Sequence, residues 1–265
     1  MAPYFSIITV AYNAETSIKS TIDSVLMQCF NDYEVIIKDG KSQDKTMLSI
    51  PDDKRIVVFS EKDQGIYDAM NYAIARAKGK YLVFMNCGDL FADDKVLGRM
   101  KQEIESLGCA DIVYGDFEID GIVYNQTNTM SDFYLYRTPL NHQSMFISKR
   151  AFDLVGVYNC NYKILADFDF TVRCWKRGLK FQHIDITVCK YLGGGVSESK
   201  QGMTLKETER RIILKKYFSK TKRLLYDFIL IVSLRRLRIW MFSGNCPNFV
   251  RKLYRKIVNF INRKS

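Results

Sequence analysis

The chain lacks the glycine-rich phosphate loops that mark many nucleotide-binding α/β proteins. Its first strand-to-helix turn reads Ala11-Tyr12-Asn13-Ala14-Glu15, without GxGxxG, and GxxxxGK(S/T) occurs nowhere. A Rossmann dinucleotide site and a P-loop are thereby excluded. Histidine is scarce, with only His142 and His183, and the seven cysteines form no CxxC pair. No zinc-site spacing results, and the expected compartment is reduced and cytosolic. No uncharged run reaches the ~20 residues that span a bilayer. The N-terminus has no basic n-region and its apolar run is broken by Asn13 and Glu15, so no signal peptide is expected. Internal repeats and low-complexity linkers are also missing.

What is present falls into a body and a tail of opposite character. The chain is 47% hydrophobic and 26% charged, ordinary for a globular protein. Its 265 residues suffice for one large domain, or a domain with an appendage. The net charge is +11, yet residues 206–265 hold 17 Lys+Arg against Glu207, Glu209 and Asp227, a net of +14. Residues 1–205 therefore carry −3, and the basic character belongs to the tail.

Within the body, strand-like and helix-like periods alternate. β-Rich runs cover 6–12, 33–38, 56–60, 81–85 and 112–115. Helices are predicted over 16–28, where Ile18, Ile22, Val25 and Leu26 share a face, and over 42–50, 66–77, 94–107 and 167–176. Residues 116–137 read as antiparallel pieces and loop, and 143–147 as a further strand. Repeated β-α units predict an α/β fold with a mixed, mostly parallel central sheet flanked by helices. Ligands of such sheets lie beyond the carboxyl ends of the strands.

Polar tips follow the apolar strands, and each carries two readings. Asp89, in Asn86-Cys87-Gly88-Asp89, suits a hard divalent cation holding a diphosphate, or a turn that caps the next helix. Asp39 suits a nucleotide hook, or a simple turn before Gly40. Asp167 suits a general base favoured in its ionised form by a helix N-terminus, or an N-cap. Asp68 and Asn71, three apart, share a helix face. The Gly193-Gly194-Gly195 run reads as a flexible turn rather than a phosphate cradle.

Five motifs in order resemble one known family. They are SIITVAYN (6–13), IIKDGKSQDKT (36–46), DQGIYDAMNYAIARAKGKYLVFMNCGDLF (63–91), NHQSMFISKRAFDLVGVYN (141–159) and LADFDFTVRCWKRG (165–178). Over residues 4–218 the chain is similar to the inverting nucleotide-sugar glycosyltransferases of family 2, of GT-A fold. Within them it most resembles the bacterial surface-polysaccharide branch (colanic acid, O-antigen and capsule). The resemblance implies a GT-A domain over 1–218 and a donor UDP-sugar carrying a hexose or N-acetylhexosamine. Asp89 then ligates Mn2+ or Mg2+. Thr9, Tyr12 and Asn13 line the nucleotide pocket, and Asp39 bonds the uracil edge. Asp68 and Asn71 join the substrate-binding set, and Asn86 contacts ribose or sugar. His142 and Gln143 contact acceptor or donor sugar. Asp167 is the base, with Asp169 the second candidate and a member of the substrate-binding set. The chain departs from the family pattern at Asn86, where D-x-D places a first carboxylate, and at Tyr72, where many relatives carry a basic residue. Single-displacement attack on an α-linked donor gives a β-linked product.

The tail, residues 219–265, is expected to be a basic helical extension. Residues 224–242 are apolar but broken by Asp227, Arg235, Arg236 and Arg238. Over 249–261 apolar residues recur at helical spacing with Arg251, Lys252, Arg255 and Lys256 largely opposite. This pattern predicts binding at an anionic membrane surface; together with the resemblance it implies a cytoplasmic enzyme, peripheral on the inner face of the plasma membrane, with a polyprenyl-diphosphate-linked saccharide acceptor and no nucleic-acid partner. Two other classes compete. A sugar-phosphate nucleotidyltransferase needs a glycine-rich first loop with Lys or Arg. A non-catalytic membrane scaffold has no use for Asp39, Asp89 and Asp167 together.

Overall fold

The computed structural model describes residues 2–108, 110–191 and 200–233, in two compact units divided at Arg211/Ile212. In the first unit, β1 (Phe5–Ala11), β2 (Tyr33–Asp39), β3 (Ile56–Ser60) and β4 (Tyr81–Phe84) lie in the order β3-β2-β1-β4, all parallel. Both faces of β1 and β2 are covered, so their apolar runs are nearly unbroken rather than alternating. Phe5, Ile7, Val35, Ile37 and Val83 join one core with Ile18, Ile22 and Val25 of α1 (Ile18–Leu26) and Leu97, Met100 and Ile104 of α3 (Val96–Ser106). The alternate residues face α2 (Ile66–Ile74), which packs on β1 and β2.

The other half of the sheet is mixed. β8 (Met145–Ser148) runs antiparallel between β4 and β6 (Ile112–Ile119), and β9 (Phe181–Tyr191) returns parallel to β6. β5 (Leu90–Phe91) pairs antiparallel with β9, and β7 (Ile122–Tyr124) makes a hairpin with β6. Around them lie α4 (Asp132–Arg137), α5 (Lys149–Val155), α6 (Ala166–Lys176) and α7 (Lys200–Tyr217), which crosses the unit boundary. The second unit contains α8 (Lys220–Ser233). The expected helix at 249–261 and the glycine run at 193–195 lie outside the described residues.

Two predicted elements change character. The helix expected over 42–50 is only a 3-10 turn at Met47–Ser49. Asp44 accepts from the Thr46 N–H (3.0 Å) and hydroxyl (2.5 Å), and such local side-chain bonds compete with helix. The strand expected over 143–147 starts at Met145, because His142–Ser144 is a 3-10 turn whose N-cap, Asn141, accepts from Ser144 N at 3.0 Å.

The sheet is close-packed at Gly115, where β6 shifts register against β9. A Cβ there would lie 2.3 Å from the Ile186 carbonyl oxygen, whereas at Gly98 in α3 the nearest atom is 4.0 Å away. Gly115→Ala is therefore expected to destabilise the fold by about 1–3 kcal/mol through overpacking. Gly98→Ala should stabilise it by about 0.5–1 kcal/mol through backbone entropy. Urea midpoints of the two variants should move in opposite directions.

Candidate active site

Register brings three strand ends to one edge: Ala11 lies opposite Asp39, and Ile8 opposite Phe84. The segments 12–15, 40–46 and 85–89 leave from this rim, where an α/β sheet binds its ligands. The first two are stitched together. Asn13, at φ +49°, donates its N–H to Ser42 Oγ (2.8 Å), and its Oδ1 accepts from Gln43 N (2.9 Å). Ala14 N donates to Thr46 Oγ1 (2.7 Å), and Lys45 N to Glu15 Oε2 (2.9 Å). Asp39 anchors the seam from beneath. Its buried oxygens accept from the N–H groups of Lys41 and Ser42 and from the hydroxyls of Ser42 (2.5 Å) and Ser60 (2.6 Å). Buried Lys38 donates to the carbonyls of Asp39 (2.8 Å) and Glu61 (2.5 Å) and pairs with Asp63 at 3.3 Å. Asp39 thus performs the turn role read in the sequence. Tyr12 stands 65% exposed at the rim.

The 85–89 segment is tied to α1: Gly88, at φ +100°, donates its N–H to Thr21 Oγ1 at 2.8 Å. Asp89 N bonds the Asn86 carbonyl at 2.9 Å. The Asp89 side chain is only 4% exposed. Burial pushes its carboxyl up to about 7, against an opposing hydrogen bond from the Gln143 side chain. Asn86 Oδ1 is buried with no hydrogen-bond partner. Asp89 caps no helix, since α3 opens after Lys95. Burial pushes the Cys87 thiol up to about 12, and the charges of Asp89 and Asp39 add to the rise. Both carboxylates therefore act on one point of the rim.

The remaining polar side chains arrive from the far half of the sheet. His142 stacks on Phe84, the last residue of β4, with ring centroids 4.8 Å apart, and its Nε2 lies 2.8 Å from Tyr158 Oη. Burial lowers its pKa, with Asp167 pulling the other way. Asp167 lies in the first turn of α6, but the N-cap is Leu165, so the capping alternative does not hold. Half-buried Asp167 accepts from Tyr67 Oη at 2.8 Å, and that hydroxyl also lies 2.6 Å from Ile164 O. One phenolic proton serves both acceptors. Burial, then the Asp167 charge, hold the Tyr67 phenol well above its usual range, so it remains the donor. The second Asp167 oxygen has no protein partner among the described residues.

Four predicted residues have other surroundings. Thr9 is fully buried, its Oγ1 without a partner. Asp68 accepts from Gln64 N at 2.9 Å. Asn71 is spent on Tyr158, whose N–H (3.0 Å) and carbonyl (2.9 Å) both bond its amide. Asp169 is fully buried and paired with Arg173 at 2.8 Å, which in turn holds the Val155 and Val157 carbonyls. The others form a chain of contacts: Asp39 and Asp89 both act on Cys87, Asn86 and Gln143 bond Asp89, and Asp167 acts on His142 beside Gln143. The sequence reading missed Tyr67 and Tyr158, which orient Asp167 and His142. Tyr67 lies inside the 63–91 motif, but no periodicity marks it.

Among the described residues no group of three or more His, Cys, Asp or Glu could hold a metal ion. The unpartnered Asn86 oxygen and the desolvated Asp89 carboxylate are nevertheless hard oxygen donors. They suit a cation that takes its other ligands from phosphate and water.

Residues 6–161 match the family model described as Glycosyl transferase family 2. The chain is 31% identical over 206 residues to a PGL/p-HBAD biosynthesis glycosyltransferase of Mycobacterium bovis, covering 75% of this chain and 80% of that protein. It is 26% identical to the Escherichia coli UDP-Glc:alpha-D-GlcNAc-diphosphoundecaprenol beta-1,3-glucosyltransferase WfaP, covering 74% and 80%. Residues 1–349 of S. aureus TarS, solved with UDP-GlcNAc, superimpose with a TM-score of 0.64 at 16% identity over 90% of this chain and 73% of that one. The mannosyltransferase PcManGT of Pyrobaculum calidifontis, solved with GDP-Man and Mn2+, gives 0.60 at 18% identity over 84% and 65%. The fold is thus that of GT-A enzymes, and the chain, a glycosyltransferase, belongs to glycosyl transferase family 2.

Proposed function

We propose that this glycosyltransferase moves a hexose or N-acetylhexosamine from a UDP-sugar to a polyprenyl-diphosphate-linked saccharide, with inversion, and that Asp167 is its general base. The observation that carries the reading is the Asp167 carboxylate: it caps no helix, and one oxygen is fixed by Tyr67 while the other is unpaired among the described residues. The acceptor hydroxyl gives its proton to that second oxygen as it attacks the anomeric carbon opposite the departing diphosphate. An α-linked donor then yields a β-linked product in one displacement. Buried His142, held neutral against Tyr158, and Gln143, bonded to Asp89, keep the two sides of the rim in register.

Asn86 and Asp89 would hold Mn2+ or Mg2+, which when bound neutralises charge growing on the leaving diphosphate. Tyr12, Asn13 and the Asp39 seam form the nucleotide edge, with Thr9 in the strand beneath it, while Asp68, Asn71 and Asp169 complete the substrate-binding set. The donor class is supported by the UDP and UDP-GlcNAc complexes of TarS, the cation by the Mn2+ complex of PcManGT, and the acceptor class by the name of WfaP. The membrane assignment draws on the tail. α8 exposes Leu224, Leu225, Phe228 and Ile231 close to Lys220, Lys222 and Arg223. Among the described residues no helix is long and apolar enough to cross a membrane. Such a surface suits the plane of an anionic cytoplasmic leaflet, where a lipid-linked acceptor resides.

Asp167→Asn keeps an acceptor for Tyr67 but cannot take the proton. Its kcat is expected to fall by about 10²–10⁴ with UDP affinity by calorimetry unchanged; a parental kcat would overturn the assignment. Asp89 gives a pH signature. Its folded-state pKa of about 7 exceeds the unfolded value of about 3.9. The stability tied to that proton is complete below the unfolded value and is lost as pH rises through about 7. In metal-free buffer, Asp89→Asn should melt above the parent at pH 8, with the gap closing towards pH 5; a pH-independent gap contradicts the burial argument. The full chain should also sediment with phosphatidylglycerol vesicles and not with phosphatidylcholine alone. Replacing Lys220, Lys222 and Arg223 by Glu should weaken that binding, and equal sedimentation with both lipids would count against an anionic surface.

A further inference from the structure

α7 is strongly basic, yet its Glu209 is only 4% exposed. This carboxylate accepts three consecutive backbone N–H groups: Lys163 at 2.6 Å, Ile164 at 3.0 Å and Leu165 at 2.9 Å. Those residues are the last three before α6, and Asp167 is its second residue. The N-cap position is held by Leu165, whose side chain offers no cap. Backbone N–H groups ahead of a helix need partners from outside it. Glu209, 44 to 46 residues away, supplies one carboxylate for all three.

The same turn is gripped from its other side. The Ile164 carbonyl lies 2.6 Å from Tyr67 Oη, and that phenol donates to Asp167 at 2.8 Å. Glu209 and Tyr67 therefore fix the peptide groups of 163–165 between them, and Asp167 follows two residues on. Arg210, the next residue of α7, donates to the carbonyls of Tyr136 and Arg137 at the end of α4. That contact fixes where along the body this stretch of α7 lies.

We propose that Glu209 is a positioning residue for sugar transfer: it sets the 163–165 turn and through it aims the Asp167 carboxylate at the acceptor hydroxyl. This rests on Asp167 being the base. The demand is for a carboxylate rather than for bulk. A glutamine has one acceptor oxygen and turns an N–H2 group toward backbone donors. An alanine leaves three N–H groups unpaired. Among the described residues no hydrogen bond joins Glu209 to the Asp39 seam or the Asp89 segment, so nucleotide binding should be insensitive to it.

The test is a double-mutant cycle on the full-length chain, with UDP affinity measured alongside transfer. A carboxylate displaced by about 1 Å can lose on the order of 10²-fold in rate. Glu209→Gln is accordingly expected to lower kcat about 10- to 100-fold, with the UDP dissociation constant within about twofold of the parent. Glu209→Asp, which keeps the charge, should recover part of the loss. In the Asp167→Asn background the same Glu209→Gln change should cost nothing further, because the group it aims has gone. A parental kcat for Glu209→Gln, a parallel loss of UDP affinity, or additive losses in the double variant would each overturn the proposal. Those outcomes leave the base assignment standing, whereas a fully active Asp167→Asn alone removes the base and the positioning role with it.

Discussion

The structure depends on the parallel ladder that β1 makes with β2 on one side and β4 on the other. Parallel strands point their carboxyl ends the same way, so one register decides where three loops emerge. A slip of one residue in β2 would turn Asp39 to the opposite face and place Lys38 opposite Ala11. Burial on both faces prevents the slip, because Val35 and Ile37 are needed in the core shared with α1 and α3. The rim is a consequence of packing well away from it.

The carboxylates at the rim are accommodated in different ways. Asp39 has no water contact, but hydroxyls and N–H groups take up both of its oxygens, which makes it part of the scaffold. Asp89 has comparable burial with little to offset it, and burial raises its carboxyl to about 7. Asp167 is half-buried and held through one oxygen only. The three acids thus run from fully satisfied to under-satisfied, and the roles proposed for Asp89 and Asp167 draw on that difference. It fits the general pattern that sites retain polar groups a stable core would not.

Much of this was legible in the sequence because doubly covered strands leave a strong signal. The runs at 6–12, 33–38, 56–60 and 81–85 match β1 to β4 within one or two residues. β9 was not read, although Ile184, Ile186 and Val188 alternate with polar residues. Its parallel partner is β6, and Phe181 pairs with Ile112 across a long stretch of chain. Site residues were legible by type and motif but not by partner. That Asn71 is consumed by Tyr158 depends on a contact across 87 residues that local pattern does not carry, whereas Asp169 and Arg173 are i, i+4 neighbours on one helix. Glu209 is the extreme case. In sequence it is one acid in a basic helix, and its three bonds to the 163–165 N–H groups reach across 44 to 46 residues.

The thiol of Cys87 sits two residues before Asp89 and feels the negative charge of both rim acids. With its pKa pushed up to about 12, it stays protonated throughout the physiological range. A protonated sulfur is a poor nucleophile and a poor soft-metal ligand. In the cation-free protein the loop therefore presents oxygen donors around a sulfur held as the thiol.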